Sequence, residues 1–299
     1  MALAIDQIPA IVRNIASSVT TGTFSTGNAS EIVIAIAASD GFFTGNTQFS
    51  ISDSLSNTYT FIARHNTISG SIEAWYTTLS ATQSNMTVTA TNAFGSNDNI
   101  TLQVITLSGQ YSSPIGATTG SSITSTPITI NLSTTGDNSY VFAAYSNSAV
   151  NPYGAGYTAD TGQSMIGQST PGGIHGGAAM WRQTSLTTNH GTSVTMDLSA
   201  PTSGYGDIIA FEILSTAPQV TPNFSVSDSS SVTESVTIRL DQKISISDSS
   251  TVTESVSTTP LSNKANVFEA SSVSESIAME IYYPVVIENL YVFGRLRLS

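Results

Sequence analysis

The sequence predicts an all-β protein: a jelly-roll-like β-sandwich built from two quasi-repeats and followed by a repeat-bearing β tail. Short apolar runs alternate with polar residues and end at clusters of Gly, Asn, Asp and Ser, which is typical of strands joined by turns. Two long stretches resemble each other at an interval of 106–109 residues, and a shorter motif then recurs every 20–21 residues. Helical periodicity is confined to a weak pattern that predicts one helical turn within residues 6–17.

The duplication defines a main domain of residues 17–216, and an N-terminal arm of residues 1–16 precedes it. In the clearest match, Phe24–Ala38 aligns with Leu132–Ala144. Each half offers about five strands, which is little for a stable sandwich of its own. We therefore expect the two halves to interleave into a single sandwich.

Burial within this domain can be read from strand parity, because alternate residues of a strand share a face. Ile32–Ala38 and its equivalent Tyr140–Tyr145 are apolar on both faces, so both strands are expected to be central and covered on both sides. The duplication also aligns Trp75 with Trp181. Three further apolar sets are each predicted to face a core: Ile100, Leu102 and Val104; Val194, Met196 and Leu198; and Ile209, Phe211 and Ile213.

A linker, residues 217–223, separates the main domain from three β repeats at 224–280. Each repeat reads as a strand, a polar turn and a second strand. A unit of this size cannot bury its apolar side alone, so the units must stack on each other, on the sandwich or on neighbouring chains. The three copies are Phe224–Val236, Ile244–Val256 and Ala265–Ile277.

Each repeat carries two acidic residues six positions apart. They are Asp228 and Glu234, Asp248 and Glu254, and Glu269 and Glu275. One interpretation is a series of calcium-like oxygen sites, or rings of carboxylates in an oligomer. The other is that the first acid caps the turn while the second discourages strand addition at an exposed edge. Apart from this possible calcium, the sequence predicts no cofactor.

The chain ends in an apolar segment, residues 281–299, which is predicted to be buried against a partner because large exposed apolar patches mark interfaces. Its predicted interface residues are Tyr282, Tyr283, Val285, Ile287, Leu290, Tyr291, Phe293, Leu296 and Leu298.

Composition excludes several classes of protein. The net charge of −12 disfavours nucleic acid and anionic membrane surfaces as partners. The absence of cysteine excludes disulfides and thiolate metal sites. We expect no signal peptide, since the N-terminus lacks a basic region followed by an apolar run, and no apolar stretch reaches the roughly 18–20 residues of a membrane helix.

Catalytic motifs are missing, so no enzyme is predicted. His65, His175 and His190 lie in loop-like contexts and share no metal-ligand spacing. No Gly-x-Ser-x-Gly elbow supports a Ser-His-Asp site. The glycine-rich segment 153–157 has no following lysine and no helix start, so it does not form a phosphate loop.

Aromatic residues offer weak binding candidates. Trp75 and Trp181 could stack on sugars, but their matched positions in the duplication favour a place in the core. Tyr153, Tyr157 and Tyr205 lie near glycines in the second half and are the candidates for an exposed rim that contacts carbohydrate.

Two segments resemble known surface proteins. Ser50–Thr60 resembles the DSLGNTYT-type segment of a β-sandwich region found in phage and prophage virion proteins and in bacterial surface proteins, and the likeness covers residues 17–215. The tail units resemble the DS-TVTESV-type repeats of phage and metagenomic surface proteins. The resemblance implies a scaffold for display or adhesion and transfers no functional residues.

The expected function is therefore that of a virion structural protein of a bacteriophage-like particle: a capsid decoration, a head fibre or a tail-associated subunit. It would be made in the host cytoplasm and displayed on the virion surface, with copies of itself and other virion or surface-assembly subunits as partners. The alternatives are a carbohydrate-binding adhesin module, with a cell-surface glycan as ligand, and a subunit of an extracellular filament joined by strand exchange. Both alternatives place the protein outside the cell or at its surface.

Overall fold

The computed structural model describes residues 3–41, 48–94, 98–124, 127–147, 156–170, 176–200 and 204–215, and the backbone of five strands between 233 and 279. The chain divides into two compact units, Met1–Pro218 and Gln219–Ser299. The described residues form strands and no helices, which confirms the predicted all-β class.

The first half of the larger unit contains nine strands in two antiparallel sheets. The six-stranded sheet has the order β1-β9-β4-β7-β6, with β2 also paired to β9, and the three-stranded sheet has the order β3-β8-β5. The strands are β1 (Ala4–Gln7), β2 (Val12–Ala16), β3 (Ser18–Thr20), β4 (Ile32–Ser39), β5 (Phe49–Asp53), β6 (Thr60–His65), β7 (Ser71–Thr78), β8 (Val88–Asn92) and β9 (Asp98–Ser108).

The second half repeats this topology. Its five-stranded sheet has the order β10-β17-β12-β15-β14, and its three-stranded sheet has the order β11-β16-β13. The bulge in β6, between Phe61 and Ala63, recurs in β14 between Met165 and Gly167. The strands are β10 (Ile115–Ile123), β11 (Ile128–Ser133), β12 (Tyr140–Ser146), β13 (Thr158–Ala159), β14 (Gln163–Ser169), β15 (Ala178–Gln183), β16 (Ser193–Ala200) and β17 (Gly206–Ile213).

Three apolar cores hold the larger unit together. One lies between the two sheets of the first half and includes Val33, Ile100 and Val104. A second lies between the two sheets of the second half and includes Met196 and Trp181. The third joins the halves, because the outer faces of the two large sheets pack on each other through residues such as Ile34, Ile105, Phe142, Ile209 and Phe211.

The central strands behave as predicted. Every residue of β4 is buried, and so is every residue of β12 after Tyr140. Alternate residues of β4 enter two different cores: Ile34 faces the other half, and Ala35 faces the small sheet of its own half. Burial on both faces explains why these strands are apolar throughout rather than alternating.

The halves do not interleave, and that part of the prediction is wrong. Every strand pair described within residues 3–215 joins two strands of the same half. Each half has eight or nine strands rather than the expected five or so, which is enough for two sheets with a core between them. The remaining apolar face of each large sheet is then buried against the other half.

The N-terminal residues are not a separate arm, and the predicted helical turn at 6–17 is also wrong. β1 pairs with β9 at Leu107 and Ser108, and β2 pairs with it from Asp98 to Leu102. β9 is eleven residues long, and its second edge is already paired with β4. The N-terminal strands therefore complete the hydrogen bonding of an edge that would otherwise be open.

The tail unit contains five strands that pair in parallel. β18 (Thr233–Ile238), β20 (Thr253–Thr258) and β22 (Ser276–Met279) form one sheet, and β19 (Ile244–Asp248) pairs with β21 (Ala265–Glu269). The pairing follows the repeat, so that Val236 lies opposite Val256 and Val256 opposite Ile277. Successive units therefore stack on each other, one of the three arrangements that the sequence left open.

Candidate functional site

The acidic candidates of the tail lie partly on these stacked strands. Glu234 is opposite Glu254, and Asp248 is opposite Glu269. Parallel pairing thus brings acids of successive copies to neighbouring register positions, where like charges oppose association unless a proton or a cation intervenes. The partner acids Asp228 and Glu275, and the whole predicted interface segment 281–299, lie outside the described residues. The calcium interpretation of the tail stays a prediction.

The three tyrosine candidates differ in position. Tyr157 is only 3% exposed, so its proposed place on an exposed rim is wrong. It immediately precedes β13, and its ring packs edge-on against Tyr145 inside the second half, with 6.0 Å between the centroids. Tyr205 is 50% exposed and keeps its candidacy. Tyr153 lies outside the described residues.

The two matched tryptophans have different surroundings. Trp181 is fully buried, and its Nε1–H donates to Gln163 Oε1 at 2.8 Å, so the core interpretation is confirmed for this residue. Trp75 is only partly buried. It packs edge-on against Phe61, with 5.2 Å between ring centroids, and Phe61 is itself 42% exposed. The guanidinium of Arg64 lies 5.7 Å from the centroid of the Phe61 ring, so aromatic and cationic groups share this surface.

Two of the histidines pair with aspartates. His65 Nδ1 lies 2.6 Å from Asp207 Oδ1, and His190 Nδ1 lies 2.9 Å from Asp137 Oδ1. Ser122 is near the first pair, but its hydroxyl donates to Asp207 at 3.3 Å. A nucleophilic serine would instead bond to the imidazole, so this trio does not have the Ser-His-Asp order. His175 lies outside the described residues.

The His65–Asp207 pair joins the two halves of the larger unit, since β6 belongs to the first half and β17 to the second. Asp207 is fully buried, and its Oδ2 also accepts the backbone N–H groups of Ile68 at 3.1 Å and Ser69 at 2.9 Å. Burial raises the pKa of Asp207, but the bonds from His65 and from the backbone N–H groups outweigh it, and the pKa is lowered overall. The ionised carboxylate therefore fastens the loop at 67–69 to the other half.

Two further buried carboxylates hold loops in the same way. Glu212 accepts the backbone N–H groups of Ala117, Thr135 and Gly136 at 2.8–3.0 Å. Burial raises its pKa, but the hydroxyls of Ser139 and Thr135 together with the backbone N–H groups outweigh it, and the pKa is lowered overall. Glu73 accepts the N–H groups of Gln48 at 2.6 Å and Phe49 at 3.3 Å, but here burial dominates and raises the pKa. Each side chain anchors a chain segment and has no free oxygen for a substrate.

Glu73 and Glu212 are not among the residues predicted from sequence, although a signal for them is present. Glu73 and Glu212 are each the single acid in an otherwise apolar run, Ile72–Tyr76 and Ile208–Leu214. A carboxylate inside such a run must find donors or a counter-ion, because an unpaired buried charge is costly. The pattern therefore predicts a buried carboxylate that is hydrogen-bonded to another segment of the chain, although it does not identify that segment.

Neither a cluster of metal-ligating side chains nor a membrane helix is found within the part of the chain that the structure describes. No group of three or more His, Cys, Asp or Glu side chains is arranged there to hold an ion, and no helix there has the length and apolar character to span a membrane.

In comparisons with known proteins, no family model, no curated protein and no solved structure matches this chain. The likeness to virion and surface proteins, which rests on Ser50–Thr60 and on the tail repeats, therefore stays a prediction.

Proposed function

We propose that this protein is a non-enzymatic structural subunit of a surface assembly, namely a capsid decoration, head fibre or tail-associated subunit of a bacteriophage-like particle. The observation that carries the proposal is the parallel pairing of the tail repeats, in which equivalent residues of successive copies lie opposite each other. Repeated units that stack in this way build elongated structures, because each copy offers the next the same edge.

The ends of the stack support assembly between chains. In the described part of the tail, β18 and β22 are the outer strands of their sheet, and each is paired on one side only. An outer strand presents unpaired backbone donors and acceptors to any strand of matching register. The best match in sequence is another copy of the same repeat, so the tail is suited to joining identical chains.

The larger unit supports a role in display. Its buried polar groups connect one element to another, and its cores bury the apolar faces of all four sheets. The low content of charged residues, 9%, and the abundance of hydroxyl side chains suit a sheet surface exposed outside a cell.

The assembly proposal is tested by measuring mass in solution. We expect the full chain to form a defined oligomer in sedimentation velocity and light scattering, and residues 1–218 to be monomeric. Deletion of 281–299 alone measures the contribution of the apolar segment, and loss of the oligomer in that variant would place the interface there. A monomeric full chain at all concentrations tested would contradict the proposal. Electron microscopy of the oligomer separates a closed assembly from a filament with helical order.

A carbohydrate-binding module is the second candidate, and one observation favours it. Phe61, which is 42% exposed, and the partly buried Trp75 form an aromatic pair beside Arg64, and aromatic side chains offer apolar faces on which sugar rings can pack. A glycan array with the full chain tests this candidate. Binding that is lost in Phe61→Ala but kept in Tyr205→Ala would locate the site at the aromatic pair, and the reverse would locate it at Tyr205. An array without binding would remove the candidate.

A further inference from the structure

The three-stranded sheet of the tail has two different edges. Its order is β18-β20-β22, so within the described part of the tail β18 and β22 are each paired on one side only. Both of its strand pairs are parallel. The edges of a parallel sheet are not equivalent, because alternate residues of a strand direct their backbone N–H and C=O groups to opposite neighbours. The outer edge of β22 therefore differs from the outer edge of β18.

The outer edge of β22 is of the kind that already accepts a strand twice within the tail. β18 pairs with β20 along one edge, and β20 pairs with β22 along the equivalent edge. The paired segments are close copies, since Thr233–Val236 and Thr253–Val256 both read Thr-Glu-Ser-Val. The register follows the copies, so that Ser235, Ser255 and Ser276 form one row across the sheet. The strand that continues this series after β22 is one with the sequence of β18 or β20.

We propose that the outer edge of β22 in one copy of the chain pairs in parallel with the outer edge of β18 in a second copy, at the register that the tail already uses. This contact deepens the proposed function and rests on it, because it names how identical subunits would be joined. Extension of the observed register places Ile277 opposite Val236 of the second copy, and Ala278 opposite Thr237 of the second copy. The new junction repeats the two junctions inside the tail.

Such a contact is head-to-tail. One copy contributes its last repeat and the other its first, so a joined pair still has a β18 edge at one end and a β22 edge at the other, and further copies can add. Two copies that met through the same strand across a two-fold axis would instead pair antiparallel. Every pair among the described tail strands is parallel, so the repeats themselves favour the head-to-tail arrangement.

Disulfide cross-linking tests the contact, because the chain contains no cysteine. Neighbouring strands lie about 4.8 Å apart, which is within the Cα separation of about 4.4–6.8 Å that a disulfide spans. One variant of the full chain carries Thr237→Cys, and a second carries Ala278→Cys. Neither should cross-link alone under mild oxidation, whereas an equal mixture should give a covalent dimer on a non-reducing gel.

The double variant with Thr237→Cys and Ala278→Cys should form covalent dimers, trimers and larger species. Within one chain β20 lies between these two positions and separates them by about 10 Å, which is too far for an internal disulfide. A series of covalent multimers therefore requires contacts between chains.

Two further double variants are matched controls. Thr237→Cys with Ser257→Cys joins residues that lie opposite each other in one chain, so it should give an internal disulfide and no multimers. Thr237→Cys with Ser276→Cys moves the second cysteine two residues off register, to about 8 Å from its target, and should give roughly tenfold less multimer.

Different results would overturn the inference for different reasons. An oligomeric full chain whose mixed variants do not cross-link keeps the proposed function and removes this contact. Cross-linking of Thr237→Cys alone, to a dimer that does not grow, indicates a two-fold contact between β18 strands. Cross-linking that appears only after deletion of 281–299 shows that the chain's own C-terminal segment covers the β22 edge. A full chain that stays monomeric and does not cross-link contradicts both this contact and the proposed function.

Discussion

The two halves of the larger unit have the same strand order in their equivalent sheets, but the pKa values of their buried carboxyls are shifted in opposite directions. In the first half, burial raises the pKa of both buried carboxyls, Glu31 and Glu73. In the second half, hydrogen bonds outweigh burial and lower the pKa of both, Asp207 and Glu212. One half therefore holds its acids at a cost when they are ionised, and the other is stabilised by them.

The register explains how this difference arose on a common framework. Ala35 lies opposite Val104 in the first half, and its equivalent Ala143 lies opposite Ala210 in the second. Counting along the paired strands, Asp207 occupies the place of Thr101, and Glu212 that of Thr106. Alternation of apolar residues preserves strand order in both halves, whereas each polar clamp depends on one position and on one loop that offers donors. A duplicated fold can thus keep its architecture while its charged contacts diverge.

The largest expected effect concerns the matched tryptophans. Trp181→Ala should lower the free energy of unfolding by about 3–5 kcal/mol, because it removes a fully buried indole from the second core. Trp75→Ala should cost about 1–2 kcal/mol, because the side chain is already partly in water. Urea unfolding followed by circular dichroism measures both. Equal losses would show that the halves use this position alike.

A smaller loss of stability is expected at the His65–Asp207 pair, which joins the two halves. Asp207→Asn should cost about 2–3 kcal/mol, because it removes a buried charge that accepts bonds from His65 and from two backbone N–H groups. The equivalent change in the first half, Thr101→Val, should cost about 1 kcal/mol or less. Chemical denaturation of the two variants compares them directly. A harmless Asp207→Asn would mean that the apolar core alone joins the halves.

The stability of the fold should depend on pH in two opposite ways, one for each pair of buried carboxyls. Asp207 and Glu212 have lowered pKa values in the folded protein, so their stabilisation is present above their unfolded values of about 4 and is lost as the pH falls through the lower folded values. Glu31 and Glu73 have raised pKa values in the folded protein, so they should add stability as the pH falls from neutral toward about 4.

Thermal midpoints measured between neutral pH and pH 3 should therefore rise slightly and then fall. Glu73→Gln should reduce the rise in thermal midpoint between neutral pH and about pH 4, and it should leave the fall at lower pH unchanged. Glu212→Gln should reduce the fall in thermal midpoint below about pH 4, and it should leave the rise at higher pH unchanged. If both variants change the midpoint in the same pH range, the predicted difference between the buried carboxyls of the two halves is wrong.

The smallest loss of stability is expected for the residues that pair with the two tryptophans, at the equivalent bulges of β6 and β14. Phe61 pairs with Trp75, and Met165 pairs with Trp181. Phe61→Ala should cost about 0.5–1 kcal/mol because the side chain is already 42% exposed, whereas Met165→Ala should cost about 1–2 kcal/mol because its side chain packs on the second core. Equilibrium unfolding of the two variants measures the difference. A larger loss in Phe61→Ala would show that the exposed aromatic pair is structural.

Much of the fold could be predicted from short stretches of sequence. The doubly apolar runs at Ile32–Ala38 and Tyr140–Tyr145 identified the two central strands, and the match of Trp75 with Trp181 identified equivalent places in two equal topologies. The candidate site residues were harder to predict. Tyr157 looked like a loop residue beside glycines, yet the chain enters β13 there and carries its ring into the core. The binding role proposed for Tyr205 and the calcium role of the tail acids stay predictions.

By itself, the sequence determined the class of structure, the positions of most strands, the duplication and the repeat of the tail, because a period of two and a copied motif are properties of neighbouring residues. Only the tertiary structure decided which edges pair and which faces meet. β1 and β2 join β9 across some ninety residues, the halves pack face to face rather than interleave, and His65 reaches an aspartate 142 positions away. Such choices depend on the area that each alternative packing buries and on the donors that it leaves unpaired, and neither quantity is written in any local pattern of residues.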